Sequence, residues 1–187
     1  MRYIGVVITC LFMAAMIVVG VGVMEPTSAQ AASGGYVAKC GGGKIFLNSK
    51  ERATFLLHNK IRRNHGLKPF CIHPDLEKAA RAHSKDMIQR DYFSHDTKGG
   101  ETFEQRLKNY GYTPSGYSHY LVGENIAWGS GSYGNPDYIV SQWMHSTEHR
   151  HNILNGKFRQ IGIGTYNGTF QGYQNATMYT ADFGTRR

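Results

Sequence analysis

Between Asn48 and Gly66 the apolar side chains Ala53, Leu56, Leu57 and Ile61 recur at spacings that place them on one face of a helix. Asn48 with Glu51 three residues on forms a capping-box start, and Gly66 suits the end. His73-Pro74 opens a second helix with proline at its first position, and Leu76, Ala80, His83 and Met87 follow at near-helical spacing. Thr102 with Gln105 opens a short third helix closed by Gly111, a pattern that buries Phe103, Leu107 and Tyr110 and exposes Arg106. Asn135-Pro136 opens a fourth, apolar along Ile139, Val140, Trp143 and Met144. The period then changes from helical to alternating. Ile161-Gly162-Ile163-Gly164-Thr165-Tyr166 alternates, Asn167-Gly168 is a hairpin-type turn signal, and Met178–Phe183 is rich in strand formers. Helices first and strands later predict an α+β layered domain rather than a repeated βαβ unit.

The chain ahead of this pattern reads differently. Met1-Arg2 gives a positive start, Ile4 to Val23 is apolar apart from glycine, Thr9 and Cys10, and Ala29-x-Ala31 fits a small-residue cleavage site. Residues 1–31 therefore read as a secretory signal peptide. An uncleaved membrane anchor is the alternative, because roughly 20 apolar residues just span a bilayer. Val-Ile-Thr before Cys10 makes a poor lipoprotein box. From Ala32 to Gly43 the chain is Gly-, Ala- and Ser-rich and reads as a flexible arm over 32–47, leaving 48–187 as the folded domain. A length of 187 residues with 41% apolar and 18% charged side chains suits one globular domain.

Export changes the meaning of the cysteines. Cys40 and Cys71 remain as an even pair in an oxidising compartment, which favours a disulfide over two free thiols. A two-cysteine zinc site is disfavoured because neither has a C-x-x-C partner. The net charge of +8 stays with the exported part, since Arg2 and Glu25 leave together. Lys60, Arg62 and Arg63, with Lys157 and Arg159 beyond, would offer a cationic patch to an anionic envelope polymer or lipid surface. Nucleic-acid recognition has neither a zinc-finger spacing nor a binding motif in its favour.

Nine histidines make candidate chemistry easy to find. His58, His65, His73 and His119 fall on polar faces or loops and read as solvated, whereas His83 lies on an apolar stripe and reads as a hydrogen-bonded core histidine. His145-Ser146-Thr147-Glu148-His149 matches H-x-x-E-H, an inverted zinc-protease motif. Ser146-Thr147 resembles the cap of a new short helix, which would separate the two histidines, and little chain follows to supply a third ligand.

Many short motifs in order carry a family resemblance. They include Leu76-x-x-Ala79-Ala80-x-x-His83-Ser84, Tyr92-Phe93-Ser94-His95, Phe103-x-x-Arg106, Gly123-Glu124-Asn125-Ile126-Ala127, Trp143-x-x-Ser146-x-x-His149-Arg150-x-Asn152-Ile153-Leu154, Ile161-Gly162-Ile163-Gly164 and Phe183-Gly184. From Asn48 to Gly184 the chain resembles the bacterial secreted branch of the CAP superfamily, named for cysteine-rich secretory proteins, antigen 5 and pathogenesis-related proteins (the SCP domain). The resemblance implies a three-layer α–β–α sandwich around a shallow cavity with two histidines and two acidic residues. By position, His95, Glu124 and His149 match three of these, and the fourth falls on Ser146.

Two imidazoles and a carboxylate would make a three-ligand divalent-metal site, with zinc the natural ion. The same residues also allow a Ser146–His149 nucleophile–base pair oriented by Glu124, or a hydrogen-bonded network on the cavity floor. The expectation is a secreted or envelope-associated protein that binds a ligand in this cavity. A metal-assisted hydrolase of an extracellular polymer and a lipid or sterol carrier are the alternatives.

Overall fold

The computed structural model describes residues 33–187, so the signal segment and Ala29-x-Ala31 lie outside the described residues. The elements are β1 (Gly35–Ala38), β2 (Lys44–Leu47), α1 (Ser49–Asn64), β3 (Cys71–Ile72), α2 (Pro74–Gln89), α3 (Phe103–Asn109) and β4 (Tyr120–Ser130). A 3₁₀ turn (Gly131–Gly134), α4 (Pro136–His145), α5 (Thr147–Leu154), β5 (Gln160–Phe170) and β6 (Tyr173–Arg186) complete the fold. The main sheet has the order β3-β5-β6-β4, with β3 parallel to β5 and the other pairs antiparallel.

Alternation along β6 makes three layers of this sheet. Tyr179, Ala181 and Phe183 face α1, α4 and α5 in a core with Phe55, Trp143, Ile153, Ile161 and Ile163. Ala176 and Met178 face the other way, against Met87 and Ile88 of α2, and Leu76 and Ala79 of α2 pack on Leu107 of α3. Gly162 and Gly164 on β5 let α2 lie directly on the sheet: a Cβ on either would sit 2.1 Å from the backbone carbonyl carbon of Leu76 or Ala80. The α–β–α sandwich expected from the sequence is therefore present.

Several local expectations change. The glycine-rich stretch is a hairpin and not a flexible arm, because β1 and β2 pair antiparallel and Gly41, Gly42 and Gly43 all take positive φ in the turn. The Cys40–Cys71 disulfide forms, with a separation of 31 residues, and ties this hairpin to β3. On the chain-entropy argument such a closure stabilises by about 3.7 kcal/mol. Asn167-Gly168 is not a turn. The strand runs on to Phe170, because the Asn167 side chain is held by Thr177 and Lys50, and the chain reverses at Gln171 and Gly172, both at positive φ.

The buried face of α1 is also largely polar, comprising Glu51, Thr54, Phe55, His58, Asn59 and Arg62. Leu57 and Ile61 only flank the core, and Leu56 is exposed. Arg62 is buried because its guanidinium donates to the carbonyls of Lys68, Ile153, Asn155 and Phe158 at 2.7–3.1 Å. It closes the C-terminal end of α5, which removes Arg62 from the cationic patch expected on the surface.

Candidate functional site

Strand β4 is an edge of the main sheet, and side chains from α4 and α5 satisfy its outward carbonyls. Trp143 Nε1 donates to Ile126 O at 3.2 Å, and Asn152 Nδ2 donates to Glu124 O at 3.3 Å. Asn125 Nδ2 in turn donates to His149 O at 3.0 Å. Amide side chains are suited to this work because they carry donors and an acceptor together. The result pins His149, on α5, beside Glu124 on the strand.

Glu124 is buried and its two oxygens are separately engaged. Oε1 accepts from His95 Nδ1 at 2.8 Å, and Oε2 accepts from the Arg106 guanidinium. Arg106 also donates to the carbonyl of His95 at 2.9 Å, so it fixes both members of the pair. Directly opposite Glu124 on β6 stands Asp182, fully buried. Burial first, and then the charge of Glu124, hold the Asp182 carboxyl well above the usual carboxylate range. Glu124 is also raised, chiefly by burial, with Arg106 opposing. Two facing carboxyls above one guanidinium cannot both ionise at low cost. The pair keeps one proton, held on the Asp182 side, while Glu124 is the partner of the cationic Arg106.

This arrangement sets the histidine chemistry. A carboxylate partner requires a hydrogen on His95 Nδ1, so Nε2 carries the lone pair, and the side chain is 50% exposed. Partial burial and then Arg106 lower the pKa of His95. Partial burial and then His95 lower that of His149. At neutral pH the rim thus presents two neutral imidazoles.

The structure therefore brings His95 and Glu124 into contact and sets His149 alongside, but it places Ser146 elsewhere. Ser146 stands at the start of α5 without a side-chain capping bond, and its hydroxyl donates to Glu148 at 3.2 Å. His145 ends α4 and His149 belongs to α5, so the H-x-x-E-H residues do not share one helix. Arg106 and Asp182 are site residues that the sequence reading misses. Periodicity puts Arg106 on an exposed face and Tyr110 in the core, whereas Arg106 is 2% and Tyr110 40% exposed. For Asp182 there is a signal: a lone acid within the strand-forming run Met178–Phe183 has to be buried on one face or the other.

The three-ligand metal set does not fit this geometry. Both Glu124 oxygens are taken, one by a fixed cation, and among the described residues no group of three His, Cys, Asp or Glu is placed to hold a metal ion. Two imidazoles alone fall short of the three or four protein ligands of a typical zinc site.

Two other histidines are buried. His58, expected in solvent, has Nδ1 at 2.8 Å from Thr54 O, and burial lowers its pKa to about 4. His83 has Nε2 at 2.9 Å from Ser94 O, the hydrogen-bonded core role expected, and burial followed by Arg106 lowers its pKa to about 3. Both are neutral in the fold. Their contribution is complete above the unfolded value near 6.5 and is lost as pH falls towards 4 and 3. Imidazole NMR titration should show these two rings still neutral at pH 5. A ring of either that titrates near 6.5 would contradict this assignment.

The comparisons with known proteins agree with this fold. A profile of the cysteine-rich secretory protein family (CAP) matches residues 55–183. The chain is 39% identical over 119 residues to the uncharacterized protein YkwD of Bacillus subtilis strain 168, across 63% of this chain and 43% of that protein. It thus spans less than half the length of that relative. An extracellular SCP-domain protein from Bacillus anthracis superposes with a TM-score of 0.59 at 27% identity, over 76% of this chain and 46% of the other. An outer surface protein from Borrelia burgdorferi shares the fold, with a TM-score of 0.60 at 19% identity over 82% of this chain and 99% of the other.

Proposed function

This chain belongs to the cysteine-rich secretory protein (CAP) family, and we propose that it acts outside the cell or at the cell envelope as a binding domain. The ligand is a polar envelope polymer, taken at the His95–His149 rim. The observation that carries this reading is the His95–Glu124 hydrogen bond backed by buried Arg106. It holds one imidazole in a single tautomer with its acceptor nitrogen free for a ligand. Similarity to an extracellular SCP-domain protein and to an outer surface protein supports the location. The net charge of +8 on the chain favours an anionic polymer.

A second reading, hydrolysis with His95 as general base for water, has the same dyad in its favour. The other route to hydrolysis, a Ser146–His149 nucleophile–base pair, is disfavoured because Ser146 is bonded to Glu148 and not to His149. The test is co-sedimentation of the purified protein with insoluble cell-wall sacculi, with their anionic polymers retained or stripped, and with anionic lipid vesicles. Binding to sacculi should weaken about tenfold, or 1.4 kcal/mol, in the His95→Ala/His149→Ala double variant. Undiminished binding by that variant, or binding to vesicles alone, would refute the rim as the site.

A further inference from the structure

Between α2, α3 and the loop that joins them lies a cavity of about 310 Å³, lined by His83, Asp86, Arg90, Glu101, Arg106 and Tyr110 among others. Neither His95 nor Glu124 lines it. Two of its lining residues are almost completely buried, His83 at 1% and Arg106 at 2% exposure. Each also has a polar atom with no hydrogen-bond partner among the described residues: His83 Nδ1 and Arg106 Nε. Buried polar atoms are rarely left so, and each implies a partner from outside the chain.

The chemistry of that partner follows from the two atoms. His83 Nε2 faces the carbonyl of Ser94, which can only accept, so Nε2 carries the hydrogen and Nδ1 is an acceptor. Arg106 Nε can only donate. A hydroxyl serves both, since it accepts from Arg106 and donates to His83. A carboxylate or phosphate would set its oxygens against the His83 lone pair, and an ammonium would face the Arg106 donor. Around them Arg90 is paired with Asp86 and Arg106 with Glu124, so the lining offers no unpaired cation to an anionic ligand. The volume is at the lower end of the roughly 300–1,000 Å³ of small-molecule pockets and is about ten times the share of one water. Tyr110, 40% exposed, adds an aromatic face that can cover the apolar side of a ring.

We propose that this cavity is a second site, which takes one ring of a neutral saccharide with a hydroxyl lodged between His83 Nδ1 and Arg106 Nε. Arg106 then stands between the two sites, its terminal nitrogens turned to Glu124 and His95 and its Nε turned to the sugar.

The test is NMR titration of the ¹⁵N-labelled full chain with glucose and N-acetylglucosamine, and with glycerol as a hydroxyl source lacking a ring. The readouts are the His83 Nδ1 resonance and the amides of Thr97 to Glu101 and Tyr110. The proposal expects saturable shifts with at least one sugar at millimolar concentration and no saturation with glycerol. The Tyr110→Ala variant should bind about tenfold more weakly, while the His95→Ala/His149→Ala variant should keep its affinity within about twofold. Failure of both sugars to shift these signals would mean a cavity for water only, and an equal response to glycerol would mean a site for any small hydroxyl compound; either result would overturn the proposal. Loss of the response in the double histidine variant would move the sugar to the other site and equally overturn it. Since the readout is local, failure of the sacculus experiment would leave this result standing.

Discussion

Arg106→Ala is expected to destabilise the fold by about 3–5 kcal/mol, the range found when one partner of a buried ion pair is removed. In a domain of this size that corresponds to a fall in Tm of roughly 10–15 °C. The cause is specific. Glu124 and Asp182 face each other across β4 and β6 in a region that excludes water, and Arg106 is the cation that lets one of them remain ionised. Without it, both carboxyls must be protonated in the fold, and stability then falls more steeply as pH rises from about 5 to 8. Arg106→Met keeps the aliphatic stem and isolates the charge. Adding Glu124→Gln and Asp182→Asn to Arg106→Met should recover a large part of the loss. Urea unfolding at several pH values measures all three. A loss below about 1 kcal/mol for Arg106→Ala, or no recovery in the triple variant, would show that the cluster is not coupled as described.

Gly164→Ala is expected to cost more than about 3 kcal/mol or to abolish the folded state, the upper end of overpacking effects. A methyl at this position would lie 2.1 Å from the carbonyl carbon of Ala80 and 2.2 Å from Arg81 N, so the obstacle is helix backbone and no rotamer change relieves it. Gly162 meets Leu76 in the same way, so the helix cannot tilt away from one glycine without disturbing its seat on the other. Gly156→Ala is the control, since its nearest contact is the flexible Leu67 side chain at 3.6 Å, and it should stay within about 0.5 kcal/mol of wild type. Equal effects of the two substitutions on the urea midpoint would show that α2 is not seated this closely.

The Ile-Gly-Ile-Gly alternation illustrates what is legible in advance. Its period announces a strand with an apolar face, and the family motifs announce the layers, but only the fold reveals that the glycine face is where a helix lies. Caps are equally readable: Asn48–Glu51 and Thr102–Gln105 both form capping boxes, since these depend on residues three apart. The buried face of α1 is not readable, because Arg62 and His58 look like surface residues until carbonyls from their own helix and from distant chain segments surround them. The site divides along the same line. His95, Glu124 and His149 come from ordered motifs, whereas the role of Asp182 depends on its register opposite Glu124 across a strand pair. Arg106 misleads for a local reason: helical periodicity cannot register a carboxylate contributed by a different strand.

The order of strands also governs how the chain reaches this structure. Cys71 pairs with Gln160, and Tyr120 pairs with Arg186, so both outer strands of the main sheet wait for the end of the sequence. Helices can flicker into being earlier, but the glycine-lined seat for α2 does not exist until β5 has joined its neighbours. Non-local pairing of this kind places folding on the millisecond-to-second scale rather than the microsecond scale of helical bundles.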